Sequence, residues 1–167
     1  MESATIFHSI APVYDSRSCC LLLGTMPSPK SRETGFFYGH PQNRMWPVLA
    51  RVYAEETPMG TESRRAFLLA HRIAMWDVLA SCSIRGADDG SIRDPAPNDL
   101  RPILEAAPIE AIFCTGKKAF ALYYRYILPI TGRKALCLPS TSPANCHRET
   151  LETLTEAYSV LRTYTER

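Results

Sequence analysis

The sequence predicts an α/β domain of three layers, α/β/α, around a four-stranded parallel sheet. Four short and nearly unbroken apolar runs, residues 19–23, 73–79, 109–114 and 135–138, read as strands buried on both faces. Segments with apolar residues at helical spacing separate them, which is the alternation that builds parallel sheets. Two of the strands also run into loops of the same build, Gly24-Thr25-Met26-Pro27-Ser28-Pro29 and Pro139-Ser140-Thr141-Ser142-Pro143-Ala144-Asn145. In a parallel sheet both loops lie at the strands' carboxyl ends and face one crevice.

In chain order, residues 1–18 read as an irregular lead-in across the sheet edge. Strand 19–23 stops at Gly24, and the first loop leads to the aromatic cluster Phe36-Phe37-Tyr38. The next segment, His40-Pro41-Gln42-Asn43-Arg44-Met45-Trp46, reads as the opening of a helix, with Pro41 in a first turn that tolerates it. Trp46, Leu49, Ala50 and Tyr53 carry the apolar face of that helix. Thr57-Pro58-Met59-Gly60 breaks it, and Thr61 is the expected cap of a second helix ending near Leu69. After strand 73–79, residues 81–97 mix charges with Pro95 and Pro97 and read as a long functional loop. Asn98 is the expected cap of helix 99–106. Strand 109–114, the pair Thr115-Gly116, helix 117–126 and strand 135–138 follow. A last helix, 147–164, places Leu151, Leu154, Tyr158 and Leu161 on one face, with Glu149 and Glu152 in its early turns. Residues 1–167 read as one domain, without repeat or linker.

Composition narrows the function classes. With 46% apolar and 22% charged residues the chain is an ordinary globular protein. A formal charge of +2 gives no general affinity for polyanions, yet leaves room for a local basic face. No apolar run approaches the roughly 18 residues of a membrane span, and no basic segment precedes an apolar core at the N-terminus. A cytoplasmic protein is expected. The six cysteines, Cys19, Cys20, Cys82, Cys114, Cys137 and Cys146, form no C-x-x-C pair and read as reduced thiols. Cys19, Cys114 and Cys137 fall in apolar runs as small hydrophobes.

The motifs by themselves leave alternatives open. The Gly24 loop is neither G-x-G-x-x-G nor a P-loop, and Ser28 and Ser140 are not in G-x-S-x-G. Phe36, Phe37 and Tyr38 are either core residues or a stacking platform for a base. Asp88, Asp89 and Asp94 are either a solvated loop or acid–base groups. The residues alone describe an α/β domain that binds something flat and polar.

Four segments taken in order carry a resemblance. They are Gly24-Thr25-Met26-Pro27-Ser28, the stretch from Tyr38 to Trp46, Ile73-Ala74-Met75-Trp76-Asp77-Val78-Leu79, and the stretch from Leu138 to Asn145. Together they resemble the uracil-DNA glycosylase superfamily, nearest its hypoxanthine-DNA (deoxyinosine) glycosylase branch. The second is similar to a signature shared with the mismatch-specific uracil glycosylases. The resemblance implies a monomeric, monofunctional enzyme that needs no cofactor or metal. It would hydrolyse the N-glycosidic bond of a flipped, deaminated base in damaged DNA, duplex or single-stranded. Hypoxanthine is the expected base and uracil its rival. Met26 stands where mismatch-specific relatives carry an Asn, so the resemblance passes the catalytic role to Asn43. It implies base contacts from Gly24, Thr25, Met26, Phe37, Tyr38 and Thr115, the last replacing an Asn of many relatives. Leu138 stands where the classical uracil enzymes have a His. DNA contacts are implied for Lys30, Arg44 and Arg148 on phosphates. Ser140, Thr141, Ser142, Pro143 and Ala144 would press on the minor groove. A catalytically silent nucleic-acid-binding module, or a small-molecule hydrolase using Asp88 and Asp89, are the alternatives on such a fold.

Overall fold

The computed structural model describes residues 2–167. Four strands, β2 (Cys20–Gly24), β3 (Ile73–Asp77), β6 (Ala111–Thr115) and β7 (Leu136–Leu138), pair in parallel in the order β3-β2-β6-β7. Every residue of β2 and β6 is buried, because helices cover both faces of the sheet. Alternate side chains feed two cores. Leu22, Met75 and Phe113 pack beneath helices α2 (Met45–Val52), α3 (Thr61–Ala70), α7 (Leu151–Tyr158) and α8 (Leu161–Thr165). Leu21, Leu23, Ala74, Ile112 and Cys114 pack beneath α4 (Arg101–Ala106) and α5 (Lys117–Leu122). The predicted three-layer arrangement is the one observed.

The largest correction lies outside that sheet. The lead-in contains β1 (Ala4–Phe7), and the supposed loop 81–97 is a hairpin, β4 (Leu79–Arg85) and β5 (Asp88–Pro97), turning at Gly86 with φ +56°. These three strands form an antiparallel sheet in the order β1-β4-β5, with Ala4 opposite Ile84 and Phe7 opposite Ser81. Cys82, Ile84 and Ile92 point inward while most of their neighbours are partly or fully wet. The sequence shows only that one-sided alternation, set among serines and charges that read as loop.

Several helix boundaries also differ. A short helix, α1 (Pro29–Thr34), occupies the first loop, and its cap Ser28 accepts the Ser31 N–H at 3.2 Å. Residues 40–44 are not helical; α2 begins at Met45, where Asn43 Oδ1 accepts the Met45 N–H at 2.9 Å. Thr61 is the first helical residue, and Gly60 precedes it at φ +83°, a conformation that suits glycine. Asn98 caps nothing: its amide donates to Asp77 O at 2.9 Å and Leu79 O at 3.0 Å, pinning the start of the hairpin to β3. Helix 117–126 becomes α5, one π-turn (Tyr123–Ile127) and a short α6 (Leu128–Thr131). The expected last helix starts only at Leu151, after a 3-10 turn at Pro143–Asn145, and breaks between α7 and α8. Cys137 is exposed because β7 is a short edge strand, whereas Cys19, Cys20, Cys82 and Cys114 are buried. No helix among the described residues is long and apolar enough to cross a membrane.

Trp46 joins the aromatic cluster to α2. It lies against Phe36 with ring centroids 6.0 Å apart, and its Nε1–H donates to Phe37 O at 3.2 Å. Trp46→Phe keeps most of the ring packing and leaves that buried carbonyl unpaired. The expected loss of stability is about 1–3 kcal/mol, measured as a shift in the urea midpoint.

Candidate active site

The two matching loops meet, as expected, in one crevice of about 340 Å³ at the carboxyl ends of β2, β6 and β7. Gly24 forms its floor. Register places Gly24 opposite Asp77, and the Val78 and Leu79 N–H groups donate to Gly24 O at 2.7 Å and Thr25 O at 3.1 Å. A Cβ on Gly24 would stand 2.5 Å from Asp77 Oδ1 and 2.9 Å from the Tyr38 hydroxyl. Only a residue without a side chain lets these two polar atoms converge there.

Tyr38 reaches the floor from a left-handed backbone, φ +51°, which a non-glycine residue adopts at a cost. What holds it is the turn behind it. Gly39 donates its N–H to Ser31 Oγ at 2.9 Å, so close to α1 that a Cβ there would lie 2.6 Å from Thr34 Oγ1. The Tyr38 hydroxyl lies 2.9 Å from Thr115 Oγ1, and Thr115 donates onward to Leu23 O at 3.3 Å. The proton order is therefore Tyr38 to Thr115 to Leu23, which leaves the phenol oxygen's lone pairs for the crevice. Burial, reinforced by the nearby Asp77, pushes the Tyr38 phenol well above its ordinary range, while the Thr115 hydrogen bond works against the shift. The phenol is held neutral. Phe37 is buried and lines the adjoining wall.

Asn43 also lines the crevice and joins its two loops. Its Oδ1 accepts the Thr141 hydroxyl at 2.8 Å as well as the Met45 N–H. A backbone N–H requires an acceptor, so the amide's orientation is fixed and Nδ2 is the donor that remains. Further bonds tie the second loop down: the Arg44 N–H donates to Thr141 O at 3.1 Å, Asn145 Nδ2 to Ser140 O at 3.0 Å, and Tyr158 Oη to Pro139 O at 2.7 Å.

Arg44, expected to contact phosphate, is engaged within the protein. Its guanidinium donates to Glu149 O and, at 3.4 Å, to Ser142 O, with Nε buried and without a partner. Those carbonyls belong to the second loop and the turn after it, so the half-buried Arg44 braces that loop. Arg148 is exposed just beyond that loop, and Lys30 lies on α1, 3.4 Å from Glu33. Ser140, Thr141, Ser142, Pro143 and Ala144 all border the crevice.

Sequence reasoning missed two parts of the site. The hairpin closes one side, with Ile84, Gly86, Ala87 and Asp89 at the crevice wall. At the floor, Asp77 Oδ2 lies 2.7 Å from His8 Nε2, with both side chains nearly inaccessible. Burial pushes the Asp77 carboxyl up, and the His8 hydrogen bond opposes that rise. The signal was present: Asp77 is the one acid in an otherwise apolar strand, and buried carboxylates stay charged only with partners.

A crevice of this size at the carboxyl ends of parallel strands, lined by Gly24, Phe37 and Tyr38, is the place where an α/β protein takes up a ligand. Comparison with known proteins sharpens that class. The family model of the Uracil DNA glycosylase superfamily matches residues 11–162. A hypoxanthine DNA glycosylase of Methanosarcina acetivorans is 33% identical over 135 residues, 80% of this chain and 84% of that protein. The hypoxanthine DNA glycosylase of Methanosarcina barkeri is 30% identical over 136 residues, 80% of this chain and 85% of that one. A solution NMR structure from Methanosarcina acetivorans, described as a candidate uracil DNA glycosylase, superposes with a TM-score of 0.79 at 28% identity. That superposition covers 95% of this chain and 99% of the other. The chain belongs to the uracil DNA glycosylase superfamily, and it is a DNA glycosylase.

Two variants test this geometry. Gly24→Ala forces Asp77 and Tyr38 apart, so base release should fall by more than the roughly 1–3 kcal/mol that overpacking takes from stability. Parallel denaturation and single-turnover assays separate the two. Arg44→Met should lower stability by about 1–3 kcal/mol through the carbonyls it abandons. The salt dependence of its DNA affinity should match the wild type, whereas losing a phosphate contact would flatten the slope by about one unit.

Proposed function

We propose that this DNA glycosylase flips a deaminated nucleotide out of DNA and hydrolyses its N-glycosidic bond, with hypoxanthine in deoxyinosine as the preferred base. The observation that carries the reading is Asn43, clamped by Thr141 and Met45 in the crevice that Tyr38 and Gly24 also line. The chain's similarity to two hypoxanthine DNA glycosylases supports the choice of base.

Bond breaking precedes water attack in this reading. The departing purine takes the bonding electrons, and the sugar is left as an oxocarbenium ion that reacts readily with water. The water needs alignment more than deprotonation, so a neutral amide is sufficient. With Oδ1 held by two donors, Asn43 Nδ2 donates to the water oxygen and leaves a lone pair facing C1′. Backbone N–H groups of Thr25 and Met26 stabilise the charge that develops on the base's carbonyl oxygen. Phe37 packs on the ring, and Thr115 acts on the base through the Tyr38 hydroxyl. Ser140 to Ala144 fill the space vacated in the stack, while Lys30 and Arg148 contact phosphates. The enzyme works as a monomer in the cytoplasm.

Single-turnover excision on an inosine duplex tests the catalytic assignment. Asn43→Ala should lower the rate on the order of 10²-fold, the scale of lost positioning, with DNA affinity nearly unchanged. Excision at the wild-type rate would remove Asn43 from the mechanism. Binding is a separate measurement: affinity should fall with salt, and Arg148→Ala should flatten that dependence by about one unit of slope.

A further inference from the structure

Three acids on the hairpin take no part in the mechanism above, and the structure gives each a different place. Asp88 closes the turn: its Oδ1 accepts the Gly90 N–H at 3.0 Å and its backbone O accepts the Ser91 hydroxyl at 2.6 Å. Asp94 is exposed, at φ +51°, and does not border the crevice. Asp89 does. The turn that presents it is tight. Arg85 pairs with Asp88, so Gly86 and Ala87 are its two central residues, with the positive φ at Gly86 that such hairpins need. At its base the hairpin is bonded to the first loop, since the Leu79 N–H donates to Thr25 O at 3.1 Å. Among the described residues no hydrogen bond or ion pair engages the Asp89 carboxyl.

We propose that Asp89 is the general acid of purine release, giving its carboxyl proton to N7 of the flipped base as the glycosidic bond breaks. This rests on the hypoxanthine reading and adds the group that prepares a purine to leave. A protonated carboxyl donates as well as accepts, and N7 is a lone-pair acceptor beside the carbonyl oxygen on the purine's edge. As the C1′–N9 bond breaks, its electron pair passes into the imidazole ring while N7 takes the proton. Hypoxanthine leaves neutral, and Asp89 is left as the carboxylate. The water that adds to C1′ releases one proton, which balances the one Asp89 gave. Proton donation to a reacting group typically supplies about 10²- to 10⁴-fold. Uracil has no counterpart of N7, so this help is confined to purines, while alignment of the water by Asn43 serves any base.

The surroundings of Asp89 suit an acid. The titratable groups facing it are Lys118 on α5, Asp77 on β3, Cys82 on β4 and its neighbour Asp88, and Tyr38 borders the same crevice. The residue as a whole is exposed at the turn, yet its carboxyl is crowded enough that burial raises it above the ordinary carboxylate range. Asp88 and Asp77 add to the rise, and Lys118 opposes it. A raised carboxyl keeps its proton to higher pH, as a general acid must. Purine release needs the protonated form, so the rate is full below the Asp89 midpoint and falls as pH rises through it.

Asp89→Asn keeps the size of the side chain and has no proton to give. In single-turnover assays its rate on an inosine duplex should fall about 10²-fold, with uracil release matching the wild type's. Affinity for a duplex carrying uncleavable 2′-fluoro-deoxyinosine should be nearly unchanged, since the loss belongs to bond breaking. Asp89→Glu, which restores the acid, should recover part of the rate. The basic limb of the pH profile should vanish in Asp89→Asn. A wild-type inosine rate in Asp89→Asn, an equal loss on uracil, or a basic limb that persists unchanged would each overturn the assignment.

A further arm changes the base and needs only the wild-type protein. 7-Deaza-2′-deoxyinosine has a carbon in place of N7 and keeps the pairing edge of inosine. The wild type should release it at least about tenfold more slowly than inosine, and Asp89→Asn should slow it no further. Release at the inosine rate overturns the proposal whatever the variants do. Failure of the wild type to release hypoxanthine at all would instead strike the reading of the base, so the two failures are distinguishable.

Discussion

The site depends on one close approach, at Gly24. Pairing of β2 with β3 on one side and β6 on the other brings Asp77 and Thr115 to the end of the central strand. The backbone there has to be bare for Asp77, Tyr38 and Thr115 to meet above it, since a Cβ would lie 2.5 Å from the carboxylate and 2.9 Å from the phenol. Because β2 is apolar on both faces, alternation does not set its register; the Val78 and Leu79 N–H groups pin it just beyond the strands by donating to Gly24 O and Thr25 O.

The second requirement is that two loops 98 residues apart behave as one wall. The bond between Thr141 and Asn43 makes the junction, and the half-buried Arg44 holds the second loop through two of its carbonyl contacts. Each contact from Arg44 goes to a backbone carbonyl, so the loop's shape is held with little dependence on which side chains it presents. Tyr158 does the same from α7 through Pro139. A loop pinned at its carbonyls can press on a large ligand without collapsing into the crevice.

The central sheet, the two loops and most of the crevice wall were legible in the sequence because each carries a local signal. Leu21-Leu22-Leu23 is apolar without alternation, and Gly24 and Pro139 mark where strands end. The antiparallel sheet was not legible. Its serines alternate with only Cys82, Ile84 and Ile92, and its partner strand lies far away near the N-terminus. Arg44 shows a different limit. An arginine beside a crevice loop reads as a phosphate contact, and nothing local reveals that carbonyls at 142 and 149 already hold it. The pair of His8 and Asp77 is separated by 69 positions and carries no motif spacing. Only the lone acid within an apolar strand pointed to it.

The hairpin at the mouth gives the site an asymmetry of tolerance. Its tip, from Gly86 to Gly90, is solvent-rich and contributes no residue to either hydrophobic core. Substitutions there change one wall of the crevice at little expense in folding free energy. The floor has no such freedom, since a Cβ on Gly24 would collide with the Asp77 carboxylate and the Tyr38 hydroxyl. Variation in substrate range is therefore channelled into the hairpin, and the same fold can acquire a new roof while its bond-breaking apparatus stays fixed.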